Sequence, residues 1–495
     1  MSCTTLLVGK NASYDGSTMI ARNDDSGADG FTPKKFVVIS SKEQKRKYKT
    51  VISHLEIDLP DNPMSYTAMP NAVKGKGIWA ASGINEENIA MTATETITSN
   101  PRVLGADPLV EYDEINHISG GIGEEDYLTI VLPYIHSARE GVIRLGKLHE
   151  QFGTYEMNGI GFQDKDEIWW FESIGGHHWM AKKVPDNSYV VVPNQLGIDS
   201  FDFTDAQGEQ NEHMCSADLV EFITENHLNL TPHEEGYSLA DEQHFDTRAA
   251  FGSHDDSDHT YNTCRAWFML RTLNPQLCRK ETGFAPESDT LPWSMVPEKL
   301  ITVEDVKYVL SAHYQGTSYD PYGKHGENSE RNKYRAIGIN RTNFVALTQL
   351  RPYMPEEIMA VEWIAEGSNV FNAFVPFYAN VTRTPDYLAN TTEKVTTDNF
   401  YWANRLIGAL ADAHFNTSAI HIERYQNTMH SKGHEFIIRT DRKFAAEHPT
   451  DVHAFLEAAN EEMASIAREE TTRTLGNVLY TASNGMKNSF ARSDA

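Results

Sequence analysis

A cysteine at position 3 leads into Thr4-Thr5-Leu6-Leu7-Val8, a run with the composition of a strand. A thiol this near the start needs only two residues removed to become the N-terminal residue. Its own α-amine can then act as general base to it, since the reference pKa of that amine is about 7.7–8.0 and a base works best near the operating pH. Nineteen residues on comes Arg22-Asn23-Asp24-Asp25, reached through Asp15-Gly16-Ser17, a turn signal, and the apolar run Thr18-Met19-Ile20-Ala21. The pattern predicts a strand–turn–strand hairpin that brings Arg22 and Asp25 back beside Cys3. A cation there stabilises thiolate, and a carboxylate there can hydrogen-bond and orient the amine. Taken singly, an early cysteine is also an ordinary thiol, and Arg22 with Asp25 also fits a surface ion pair at a strand end.

The elements around this hairpin follow from periodicity. Residues 77–94 read as strand, turn, strand. From Tyr127 to Leu148 the apolar residues Leu128, Val131, Leu132, Ile135, Val142, Ile143 and Leu145 recur at helical spacing. They predict two antiparallel core helices, with Gly141 and Gly146 breaking the run. Residues 157–193 hold four short β-rich runs separated by Asp164-Lys165-Asp166, Gly175-Gly176 and Pro185-Asp186-Asn187, a β-meander. Helical patterns return at 215–225 and 302–312, the second with Thr302 as N-cap. Strand patterns cover 336–383, including Ile337-Gly338-Ile339. The last hundred residues are helical, with an apolar stripe through Val452, Phe455, Leu456, Ala459, Met463, Ile466 and Ala467. The order suits an α+β layered fold.

Composition limits the function classes. A formal charge of −27 over 495 residues argues against a nucleic-acid partner, since phosphate binding needs clustered Lys and Arg. Four cysteines without paired spacing form neither a disulfide framework nor a zinc motif, so Cys215, Cys264 and Cys278 read as reduced thiols. The first residues lack the pattern of a signal peptide and no run of about 18 apolar residues occurs, which predicts a cytoplasmic chain without a membrane partner. Among 20 histidines, adjacent His177-His178 would point to opposite faces of a strand. The acidic loop His254–His259 lacks metal-site spacing, and no phosphate-binding glycine motif is present. No metal and no cofactor is expected.

Cys-Thr-Thr at 3–5, the Asp-Gly-Ser turn and Arg22-x-x-Asp25 resemble the start of the dipeptidase A family, cysteine peptidases of the N-terminal-nucleophile hydrolase superfamily. Further matches follow in order at 83–91 (GINEENIAM), 191–195 (VVPNQ), 261–267 (YNTCRAW) and 374–378 (FVPFY). The resemblance implies a four-layer αββα sandwich of two antiparallel sheets between helices. It also implies a two-residue propeptide (1–2) removed by autocatalysis or by another peptidase, a catalytic region 3–383 and a helical C-terminal region 384–495 packed on the same unit. It implies hydrolysis of dipeptides by acyl transfer to Cys3, and a homo-oligomer. Asn194 is the implied oxyanion donor and Arg265 a support of the thiolate or its neighbours. An ungapped count from Asn85 makes Glu95 the counterpart of an asparagine in acyl-amide hydrolases; a carboxylate there would meet a dipeptide's free ammonium. The alternatives are an acyl-amide hydrolase of the bile-salt or penicillin V type, and a secernin-like protein acting through partners.

Overall fold

A computed structural model describes residues 3–27, 30–233, 236–279 and 284–488, without the side chains of 93–95 and 279. The predicted hairpin is present: strands Thr4–Val8 and Thr18–Asp25 pair antiparallel, with Thr5 opposite Arg22 and Val8 opposite Met19. Asp15 closes the return by accepting a hydrogen bond from the Ser17 amide at 3.1 Å, and Gly16 takes φ = 83°. These two strands are the centre of a seven-stranded antiparallel sheet. Its order is Ser294–Met295, Tyr189–Val192, Thr4–Val8, Thr18–Asp25, Thr342–Leu350, Ala360–Glu366, Val375–Tyr378. A second, six-stranded sheet runs His213–Cys215, His178–Lys183, Ile168–Ile174, Asn158–Gln163, Ala90–Thr96, Ser82–Ile84.

Period-2 alternation sorts the side chains into layers. Leu7 and Ile20 point between the sheets, among Ile168, Trp170, Val190 and Val192. Leu6, Val8, Met19 and Ala21 point the other way, onto the helices Cys264–Leu273 and Val303–Leu310. Behind the second sheet, Ile160, Phe162, Trp169 and Phe171 pack on Val142 and Leu145 of the helix Ala138–Phe152. The result is an αββα sandwich. The last two helices, Phe415–Glu447 and Val452–Asn484, form an antiparallel pair against the far edge of the first sheet. Asn460 holds that edge: its Oδ1 accepts from the Tyr378 amide and its Nδ2 donates to the Tyr378 carbonyl, both at 3.0 Å. A covered edge strand offers no open ladder for another chain to join. No helix among the described residues is long and apolar enough to cross a membrane.

Three expectations are corrected. The fourth run of the expected meander, Tyr189–Val192, leaves the second sheet and joins the first beside Thr4–Val8. The crossing brings the backbones together: Gly9 donates to the Ser188 carbonyl at 2.9 Å, and a Cβ on Gly9 would lie 2.5 Å from the Asp186 carbonyl oxygen. Ile337-Gly338-Ile339 lies outside any strand. Gly141 and Gly146 do not break the helical run; they lie inside Ala138–Phe152, and the break falls at Leu132–Tyr134, a 3-10 turn containing Pro133. Helix and sheet approach so closely there that a Cβ at either glycine would come within 2.3 Å of the Phe162 or Trp179 ring. Alanine is favoured over glycine inside a helix by about 0.8–1.0 kcal/mol, yet Gly146→Ala is expected to lower stability by about 1–3 kcal/mol, the cost of overpacking. Urea unfolding measures it; an unchanged or higher midpoint would mean that Trp179 yields.

Candidate active site

Cys3 is fully buried. Continuing the two ladder registers by one or two residues places it opposite Asn194 on one side and Asp24 on the other. Arg22 shares the inter-sheet face with Cys3, and its Nη2 donates to the Cys3 Sγ at 2.6 Å. The same nitrogen lies 3.2 Å from Asp24 Oδ1 and 3.5 Å from Glu124 Oε1. Lys34, also fully buried, stands 3.6 Å from Asp24 Oδ2 and donates to the Trp79 carbonyl at 3.0 Å. Burial alone would raise the Asp24 carboxyl; Lys34 and Arg22 overcome it and hold the pKa below the usual carboxylate range. Burial lowers the Lys34 ammonium, against the pull of Asp24. Ligand atoms of Cys3, Asp24 and Glu124 all lie within 4.8 Å of one another, the group among the described residues close enough to share a metal ion. Arg22 already reaches all three, so the cation at this point is a guanidinium. The expected absence of a metal at His254–His259 is not tested by this geometry.

Asp25 does not flank the thiol. On a strand, residues three apart face opposite sides, and Asp25 accepts on the reverse side from Arg335 Nη2 and Thr342 Oγ1, each at 2.5 Å. The carboxylate beside the thiol is Asp24.

From the helix layer, Arg265 holds the backbone of the same strand. It is the second residue of Cys264–Leu273, entered through a π-turn at His259–Thr263. Nη1 donates to the Cys3 carbonyl at 2.5 Å and to Thr4 Oγ1 at 2.8 Å; Nη2 donates to Asn262 Oδ1 at 2.6 Å and to Asn194 Oδ1 at 2.8 Å. A guanidinium only donates, so the Asn194 oxygen faces Arg265 and the amide's donor end turns away from it. The Asn194 loop is fixed from the second sheet by Glu172, whose Oε1 accepts from Trp170 Nε1 at 2.8 Å and from the Gly197 amide at 2.7 Å.

Glu95 lies in Ala90–Thr96 opposite Gly159, at a bulge; its side chain is outside the described residues, as are Met1 and Ser2. The structure thus brings together Cys3, Arg22, Asn194 and Arg265. It adds Asp24, Lys34 and Glu124, which sequence reasoning missed. Strand alternation could have found Asp24; no local signal marks the other two.

A thiol under a guanidinium, beside an amide turned by a second guanidinium, is an arrangement for nucleophilic acyl transfer. Residues 2–428 match peptidase family C69. The chain belongs to this family. C69 is a family of cysteine peptidases. The chain is 51% identical to a dipeptidase of Bifidobacterium longum over 100% of both chains. It is 51% identical to a probable dipeptidase A of Streptococcus pyogenes, covering 100% of this chain and 98% of that one. A dipeptidase A of Lactobacillus helveticus is 41% identical over 96% of each.

Two outcomes follow for this C69 chain. Arg22→Gln removes the cation at Sγ, so the pH midpoint of Cys3 alkylation should rise. It also leaves Asp24 and Glu124 less compensated, at a cost of about 3–5 kcal/mol in denaturant unfolding; an unmoved midpoint would separate Arg22 from the thiol. Glu172 is pushed up to about 7 by burial, and its Oε2 has no hydrogen-bond partner among the described residues. The folded state therefore holds a proton that the unfolded chain releases above about 4.5, and this contribution to stability is lost as pH rises through about 7. Glu172→Gln keeps the acceptor and removes the titration, so the fall in Tm across that window should flatten; an identical Tm–pH curve would place the titration elsewhere.

Proposed function

We propose that the chain hydrolyses dipeptides by acyl transfer to Cys3. The observation that carries the reading is the 2.6 Å contact of Arg22 Nη2 with the Cys3 Sγ in a buried site at the start of a central strand. Cys3 attacks the scissile carbonyl carbon as thiolate. Asn194 and backbone amides take the developing oxyanion. The α-amine of Cys3 holds the thiol's proton and delivers it to the leaving amine as the C–N bond breaks. Water, deprotonated by the same amine, then opens the thioester and returns the thiol.

Arg22 supports the thiolate. Arg265 fixes the Cys3 carbonyl and turns the Asn194 amide. Asp25 lies one residue beyond the position facing Cys3, and its part is to orient the α-amine from the reverse side of the strand. Residues 3–383 carry the catalytic unit and 384–495 brace its sheet edge; the enzyme works in the cytoplasm as a homo-oligomer, without metal or cofactor. The dipeptidase names of the relatives, at 41–51% identity, favour this over acyl-amide hydrolysis.

The amine base requires loss of Met1 and Ser2. Active enzyme is expected to begin at Cys3 by intact-mass analysis, EDTA should leave turnover unchanged, and a thiol alkylator should abolish it. Cys3→Ala should retain Ser2 and lose all but background turnover. If Cys3→Ala kept more than about a hundredth of wild-type turnover, far above what survives loss of a nucleophile, the mechanism would be wrong. Fully active protein beginning at Ser2 would remove the free-amine base alone.

A further inference from the structure

We propose that a cavity along the helix Phe400–Asp412 is a second dipeptide site, in which Arg405 takes the α-carboxylate and Asp412 the α-ammonium. The choice of ligand rests on the dipeptidase reading; the site rests on what lines the cavity. Its volume is about 290 Å³, at the lower end of small-molecule pockets. Arg405, Gly408, Ala409 and Asp412 all line it. At i, i+3, i+4 and i+7 of one helix they form a single stripe, with a cation at one end, an anion at the other and small residues between.

Arg405 is the group that calls for an anion. Its Nη1 donates to the Asn340 carbonyl, and its Nη2 to the Thr342 carbonyl at 2.8 Å and the Tyr401 hydroxyl at 3.1 Å. All three acceptors are neutral, and among the described residues Arg405 forms no ion pair. Its Nε is buried without a hydrogen-bond partner, so the five donors of the guanidinium are not all used. The Phe31 ring lies 4.2 Å from the guanidinium carbon and holds the plane in place. A cation drawn out of water is tolerated when an anion pairs with it, and the cavity beside this half-buried one is open to a ligand.

At the other end Asp412 is exposed at the rim, and its Oδ1 accepts from the Tyr322 hydroxyl. The walls between the charges are apolar and fixed. Val370 and Phe371 are buried, and Tyr322 stacks on Phe415 with ring centroids 3.8 Å apart. Gly408 leaves the floor clear; a Cβ there would touch the Phe371 ring at 3.4 Å.

The length selects a dipeptide. Seven residues of helix rise about 10.5 Å. Arg405 also leans back to Tyr401, one turn toward the N-terminus, which widens the gap between the charges. A bound zwitterion spans the gap with its own length and two charge-assisted hydrogen bonds of about 2.7–2.9 Å each. At about 3.3–3.6 Å per extended residue, a dipeptide supplies about 12–13 Å in all. A single amino acid supplies about 9 Å and a tripeptide about 16 Å by the same count.

The test uses the whole enzyme with Cys3 alkylated, so that bound dipeptide is not hydrolysed, and reads dissociation constants by calorimetry. Four ligands are compared: a dipeptide with an apolar C-terminal residue, its des-amino analogue, its C-terminal amide, and the free C-terminal amino acid. Wild type should bind the dipeptide more tightly than the other three. Arg405→Gln should weaken dipeptide binding by roughly 10- to 100-fold, the range for a hydrogen bond to a charged group, and leave the amide within about threefold. Arg405→Lys should recover part of the loss. Asp412→Asn should weaken dipeptide binding by roughly two- to fivefold, as for an exposed ion pair, and leave the des-amino analogue unchanged. Asp412 lies at the rim, so this variant reads the site even where Arg405→Gln, which also loses the grip on two carbonyls, fails to fold.

Equal losses for dipeptide and amide in Arg405→Gln would make Arg405 a support of the Asn340 and Thr342 backbone and overturn the proposal. So would dipeptide binding that Asp412→Asn leaves unchanged, an amino acid bound as tightly as the dipeptide, or no binding at all. Enzyme that turns over no dipeptide before alkylation would instead defeat the dipeptidase reading itself.

Discussion

The burial of two guanidinium groups on either side of one short strand is the constraint on which the site depends. Arg22 and Arg265 are both fully buried, and a buried charge is tolerated only when paired and hydrogen-bonded. Each therefore recruits its surroundings. Arg22 gathers the Cys3 thiol, Asp24 and Glu124 between the sheets. Arg265 gathers the Cys3 carbonyl, the Thr4 hydroxyl, Asn262 and Asn194 on the helix side. Strand alternation keeps the two assignments apart, one guanidinium per face.

The sheet makes this pairing possible. Had Tyr189–Val192 stayed in the second sheet as a fourth meander strand, Asn194 would lie with that sheet and away from Cys3. Crossing into the first sheet puts it on the ladder that Cys3 begins, and Glu172, left behind on the second sheet, holds the following loop by a carboxylate acceptor. The oxyanion candidate is thus placed by one sheet and fixed by the other. The close backbone approach at Gly9 is the local cost of the crossing.

How much of this could be read in the residues depends on whether the determinant was local. The hairpin carries its own turn chemistry and apolar run, so it was legible from Cys3 to Asp25. Thr302 was legible as a cap because the capping box with Asp305 lies within one turn. The glycines at 141 and 146 misled because their reason is tertiary: two aromatic rings from the second sheet, far along the chain. The face of Asp25 was not read correctly: strand alternation puts Arg22 and Asp25 on opposite faces, so the carboxylate beside the thiol is Asp24. Lys34 and Glu124 left no local trace. They reach the Arg22–Asp24 pair through loops, and charged residues in loops are ordinarily solvated; only the folded arrangement shows them buried.

The separation of the two guanidiniums also separates two demands of the chemistry. A thiolate must be stabilised before attack, whereas an oxyanion must be stabilised only as it forms. A cation touching both atoms would favour the ground state as much as the transition state. Here Arg22 touches sulfur, and Arg265 reaches Asn194 through the amide oxygen, so in the proposed mechanism the group left to meet the oxyanion is a neutral donor. Its dipole is oriented in advance, and the full positive charge behind it is spent on the Cys3 carbonyl and on the amide. On the proposed mechanism, charge thereby lies where the nucleophile needs it and a fixed dipole where the transition state does.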